Sequence, residues 1–162
     1  MVQTTPNHVK VNVDASFDAD SLRGTTGVIR DANGKFVAVC NHKLDFVQDV
    51  LAAEAHALKR ELLLVQSLRC NRVIFASDSM DVVETMINGA HSHGVAAAIF
   101  YDCYHLSTEF VKIEFVHEPR ERNIVAHELA SLAKFSNQSV WLVDPPPSLI
   151  PLIVSDVTLF DI

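Results

Sequence analysis

Val9, Val11 and Val13 alternate with Lys10, Asn12 and Asp14, the period-two pattern of a half-buried strand that runs to about Phe17. A polar connection covers 18–24. Gly27-Val28-Ile29-Arg30 and Phe36-Val37-Ala38-Val39 then flank Asp31-Ala32-Asn33-Gly34, whose Asn-Gly supplies the positive φ of a turn. Three consecutive strands therefore open the chain. From about Val47 to Arg69 the spacing becomes helical, with no Gly or Pro across the span. Leu51, Glu54, Leu58, Leu62 and Val65 share one broad face, which puts Glu54 on the core side. Cys70-Asn71 ends this helix, and the apolar run from Arg72 to Ser77 has the character of a strand buried on both faces, in a parallel position. Asp78 lies just past its carboxyl end, the edge at which open α/β sheets bind ligands.

Ser79 to Ile87 reads as a short helix closed by Asn88-Gly89, and a second helical stretch runs from about Val95 to Thr108. Val111 to Val116 alternates as another strand, the charged loop HEPRER follows, and a last helix spans about Asn123 to Phe135. The order βββ, α, β, α, α, β, α predicts a mixed sheet with helices. WLVDPPPSLIPLIVSDV is a proline-marked tail whose apolar residues predict a short helix docked on the body, which Pro145 to Pro147 can precede but not sit inside. The expected organisation is an N-terminal extension at 1–8, one domain at 9–136, and an apolar tail at 137–162 packed on it.

At 162 residues with 49% hydrophobic and 20% charged residues, the chain reads as a single globular domain. No apolar stretch approaches membrane-spanning length, and MVQTTPNHVK lacks the apolar core of a signal peptide. The expectation is a soluble intracellular protein, cytoplasmic or nuclear, with no membrane partner. Cys40, Cys70 and Cys103 are widely spaced and odd in number, so they read as reduced core residues, and the sequon at Asn137 reads as a chance match. Net charge is −7, and Val73 through Val111 contains no Lys or Arg. A domain that grips nucleic acid through phosphates usually carries a basic face, so this one's own electrostatics help little.

Asp14, Glu54 and Asp78 each end an apolar strand or interrupt an apolar helical face, where a charge is costly unless compensated. Converging acids of this kind point to a divalent-metal site. Structural alternatives exist for each: Asp14 bonding a neighbouring strand end, Glu54 paired with Arg23 or Arg30, and Asp78-Ser79 capping a helix. His91 and His93 have the spacing of a metal pair, but with no cysteine nearby they read as a solvated loop.

The segments VNVDASFD, GVIRDANGKF, LAAEAHALKREL, VIFASDSMDVV and HEPRERNIVAHELASLAK, with the WLVDPPP tail, carry a resemblance that covers nearly the whole chain from Val9 to Pro147. In this order and spacing the chain resembles the α/β ribonuclease H-like fold, a mixed five-stranded sheet with helices on both faces. The match is to the plant branch related to domains of non-LTR retrotransposons. The resemblance implies a Mg²⁺-dependent endonuclease that cuts the RNA strand of an RNA–DNA hybrid with two metal ions. Asp14 would bridge the two ions, and Glu54 and Asp78 would hold the metal at the leaving group. The family's fourth carboxylate falls at His127. Neutral imidazole is a poor Mg²⁺ ligand but acceptable to Mn²⁺ or Zn²⁺, and the change removes one negative charge. Glu128 is adjacent but about 100° round the helix, while Glu118 and Glu121 in the preceding loop are the acids that could swing in.

By the same resemblance His117 would help protonate or release product and Asn123 would position the loop; Asn123 also stands where it would cap the last helix, and Arg120 and Arg122, the nearest cations to the proposed site, would meet substrate phosphates. The backbone at Ser16 and the helix start at Ser79 would add contacts with the hybrid. The basic helical protrusion that many relatives use is missing, so grip on a hybrid would need a tethered domain, a partner, or the first strands with Arg120 and Arg122. Two readings remain open here: a hybrid endonuclease weakened by His127, and a catalytically silent domesticated domain that binds protein partners. Nucleic-acid binding without cleavage is disfavoured by the charge.

Overall fold

The chain is described by a computed structural model over residues 8–17, 23–44, 49–92, 94–133, 139–142, 147 and 150–151. β1 (His8–Phe17), β2 (Arg23–Asp31) and β3 (Phe36–Leu44) form the antiparallel meander that the alternation predicts. Between β2 and β3 the Asp31 carboxylate accepts from the Asn33 and Lys35 amides, both at 2.9 Å, and Gly34 takes φ 79°. A residue with a side chain would be strained there, so the Asn-Gly signal has a physical cause.

β4 (Arg72–Ser77) lies parallel to β1 on its other side, and β5 (Lys112–His117) lies parallel to β4. β6 (Ser139–Leu142) adds a sixth strand antiparallel to β3, giving the order β5-β4-β1-β2-β3-β6. The mixed sheet expected from the sequence is present, extended at one edge. Trp141 and Leu142 thus belong to a strand, opposite Val39 and Ala38, and past the prolines Ile150 and Pro151 are helical. Most of the remaining tail lies outside the described residues, as do His93 and Asn137. β2 also begins earlier than the pattern suggests, inside the polar connection.

Helices cover both faces. α1 (Val50–Ser67) is capped by Asp49, whose carboxylate accepts from the Ala52 amide at 2.6 Å. Its Leu58, Leu62 and Val65 are fully buried against Val9, Val11 and Val13 of β1, each burial worth roughly 1.5–3 kcal/mol. α2 (Met80–Ile87) and α3 (Ala97–Ser107) complete this side, with α3 packed on α1. On the other face α4 (Ile124–Ala133) sets Val125 and Ala126 against Val28 and Val39. All three cysteines are buried and in no disulfide, in keeping with the sequence. Glu61 of α1 is also fully buried, directly over Gly27, where any β carbon would collide with its carboxyl group.

Candidate metal centre at the ends of the two central strands

The register of β1 and β4 places two of the acids. Their last pair is Val13 with Ser77, so the next residues, Asp14 and Asp78, emerge side by side where parallel pairing stops. Glu54 reaches the same point from α1, and ligand oxygens of Asp14, Glu54 and Asp78 all lie within 4.8 Å of one another. Asp14 is 2% and Glu54 6% exposed, so two of the three carboxyls are nearly closed to water, while the Asp78 side chain keeps 15% of its surface exposed.

Electrostatics follow from that crowding. Burial, then the neighbouring Asp78 charge, pushes the Asp14 carboxyl up to about 6, with the His127 hydrogen bond opposing the rise. Burial is also the main cause that holds Glu54 well above the usual carboxylate range, followed by the charges of Asp14 and Asp78. Glu54 Oε2 is buried with no hydrogen-bond partner. Such an orphaned acceptor, beside two more anionic oxygens, fits a hard divalent cation, whose ligands are carboxylate oxygens. The pairing of Glu54 with an arginine is not what surrounds it: its interacting groups are Asp14, Asp78 and the Ala15 backbone.

His127 stands in the first turns of α4 with Nδ1 2.9 Å from Asp14 Oδ2, its side chain 34% exposed. The structure thus brings the predicted histidine into direct contact with the acids. Glu128 is exposed, as its angular position on the helix requires, and so is Glu121. Glu118 does not swing in. Its carboxylate is buried, accepts from Lys10 Nζ and from Asn12 Nδ2, both at 2.6 Å, and its amide donates to Ser77 O at 2.9 Å.

Asn123 joins this network from the position just before α4, where its carbonyl accepts from the His127 amide at 3.0 Å. Its side-chain amide donates to Val13 O at 3.0 Å, and its oxygen accepts from Asn12 at 3.1 Å. The side chain ties the start of α4 to β1, one residue before Asp14. Asn12 and Glu118 are the functional-site residues that the sequence reading missed or misassigned. Their signal was a lone Asn between two valines of β1 and an acid directly following a strand.

Among the other predicted residues, Arg120 comes nearest, with Nε 3.7 Å from Asp78 Oδ2 and its side chain 70% exposed. Arg122 and His117 are exposed, His117 at the end of β5 opposite Ser77. Ser79 caps α2, accepting from the Val82 amide at 3.4 Å, and Ser16 is buried within β1. His91 is exposed, as expected of a solvated loop.

Comparison with known proteins adds a family and a fold. A family profile described as reverse transcriptase-like matches residues 12–133. No curated protein matches the chain. Among solved structures, RNase H1 from the halophilic archaeon Halobacterium salinarum NRC-1 is similar with a TM-score of 0.71 at 21% identity, over 78% of this chain and 96% of that one. LC11-RNase H1, isolated from compost by a metagenomic approach, gives a TM-score of 0.69 at 26% identity, over 78% and 95%. The foamy viral protease-reverse transcriptase in complex with RNA/DNA hybrid gives 0.63 at 15% identity, over 78% of this chain and 20% of that one.

Proposed function

We propose, from the premise that the chain belongs to the reverse transcriptase-like family, that it is a ribonuclease H-like domain cutting the RNA strand of an RNA–DNA hybrid with a divalent cation. Magnesium is the preferred cation in this reading, with Mn²⁺ as the alternative, and the domain is of the plant retroelement type, working in cytoplasm or nucleus. The observation that carries it is the convergence of Asp14, Glu54 and Asp78 within 4.8 Å at the open end of the two central strands. Support from neighbours is that LC11-RNase H1 has a structure in complex with RNA/DNA hybrid, at a TM-score of 0.69.

The position of each residue supports the part it takes in this reading. Asp14, Glu54 and Asp78 supply the oxygens that would hold the cation. Bound there, the cation supplies Lewis-acid stabilisation of the phosphodiester and a more acidic water. The crowding of the three carboxyls, costly in its absence, becomes binding energy for a positive charge. Arg120, exposed beside Asp78, meets a backbone phosphate and sets register without reading sequence. His117, exposed where β5 ends, carries a proton to the departing oxygen. His127 fixes the orientation of Asp14.

The test is cleavage of a labelled RNA–DNA hybrid, with Mg²⁺ and with Mn²⁺, by wild type, His127→Asp and Asp14→Asn. Wild-type activity that disappears in Asp14→Asn supports the endonuclease. If neither wild type nor His127→Asp cuts with either metal, the endonuclease is rejected in favour of a silent protein-interaction module. The net charge of −7 and the absence of Lys and Arg from 73 to 111 favour that second reading.

A further inference from the structure

The geometry points to an acidic cage that takes one divalent cation per chain, because His127 already occupies one Asp14 oxygen and the three carboxylates carry too little charge to hold two. This rests on the cation-site reading above and narrows it to a count. A bound cation would hold Asp14 ionised, and an ionised carboxylate only accepts hydrogen bonds, so across the 2.9 Å contact with Asp14 Oδ2 His127 Nδ1 would then be the donor and carry the proton. A protonated ring nitrogen has no lone pair for a metal. The remaining lone pair, on Nε2, lies across the ring from Asp14. His127 therefore cannot stand in for a carboxylate that would complete a second cation's shell while also gripping Asp14.

Available charge agrees with this count. The described residues bring only Asp14, Glu54 and Asp78 together as a metal-holding group. Glu118 is buried and committed to Lys10 and Asn12, and Glu121 and Glu128 are exposed. A cage of three carboxylates is at most three times negative. One divalent cation leaves it anionic and able to coexist with Arg120 beside Asp78, whereas two would make it positive before any phosphate arrived. The unmet acceptor is also single: Glu54 Oε2 is the one buried oxygen of the three acids without a partner among the described residues. One cation would satisfy it, together with oxygens of Asp78 and Asp14.

The count is measurable without any substrate. Purified wild type, His127→Asp and Asp14→Asn are titrated with Mn²⁺ alone, and free Mn²⁺ is followed by its electron paramagnetic resonance signal. The expected result is one bound Mn²⁺ per wild-type chain, two per His127→Asp chain, and at least a tenfold loss of affinity in Asp14→Asn. Two ions on wild type, none on wild type, or still one on a His127→Asp chain with native circular dichroism each overturn the inference. Should His127→Asp fail to fold, the wild-type count decides alone. Hybrid cleavage is scored separately. A wild type that binds two ions and cuts refutes the count and keeps the function, and one that binds a single ion and does not cut does the reverse.

Discussion

Removal of the Glu118 carboxylate tests whether the loop before α4 is held in place by the buried network or merely lies there. In Glu118→Ala, Asn12 loses a charge-assisted hydrogen bond of 2.6 Å in a buried setting, and Lys10, with 26% of its side chain exposed, loses its 2.6 Å contact with the carboxylate. A buried hydrogen bond to a charged group contributes roughly 1.5–3 kcal/mol. The Lys10 pair, partly wet and therefore screened, adds at most about 1 kcal/mol. The expected loss is about 3 kcal/mol, which in a chain of this size lowers the melting temperature by roughly 6–12 °C. Urea unfolding of wild type, Glu118→Ala and Glu118→Gln measures it, and the Lys10→Ala/Glu118→Ala cycle isolates the ion pair. Glu118→Gln keeps an acceptor for Asn12 and should lose about half as much. Because the same loop carries Arg120 and leads to Asn123, hybrid cleavage should fall in Glu118→Ala while Mn²⁺ binding at the acids persists. A loss under about 1 kcal/mol, or equal damage from Gln and Ala, would refute the reasoning.

Glu61 supplies a pH prediction. Burial pushes its carboxyl from 4.5 up to about 8, so below 4.5 it is neutral in both folded and unfolded chains and its burial costs least. Between 4.5 and 8 the unfolded chain sheds this proton and the folded one keeps it, so stability falls as pH rises, by up to about 1.4 kcal/mol per unit. Glu61→Gln should flatten that part of the profile and be the more stable protein at pH 8; an unchanged slope in urea midpoints against pH would contradict it. Gly27→Ala should destabilise by about 1–3 kcal/mol through collision with the Glu61 carboxyl, and shortening that side chain in Gly27→Ala/Glu61→Ala should recover part of the loss. Glu54→Gln should stabilise the cation-free chain by relieving repulsion with Asp14 and Asp78. Mg²⁺ at a hundred times its dissociation constant should raise wild-type stability by about 2.7 kcal/mol and leave Asp14→Asn unmoved, which thermal scans with and without Mg²⁺ decide.

The elements that sequence made legible are those whose evidence is local. Alternation of Val9, Val11 and Val13 marks β1, Asn33-Gly34 marks the turn, and the helical spacing of Leu58, Leu62 and Val65 marks α1. The three acids were legible because each interrupts such a pattern at a place where a charge has no local reason to be. Glu61 carried the same signal, seven positions after Glu54 and two turns along the same face, yet one acid without a converging partner reads as an ordinary surface charge. The Lys10–Asn12–Glu118–Asn123 network was not legible, since it joins residues more than a hundred positions apart and depends on Glu118 docking its amide on Ser77. β6 escaped for another reason: a four-residue apolar strand has no period long enough to separate it from a helix, and its partner β3 decides the matter.

The most direct test of the central claim is a crystal of the wild-type chain soaked in Mn²⁺ and measured at the manganese absorption edge. An anomalous peak bounded by Asp14, Glu54 and Asp78 is the predicted result. No peak there at saturating Mn²⁺, or a peak held at another group of residues, would contradict it.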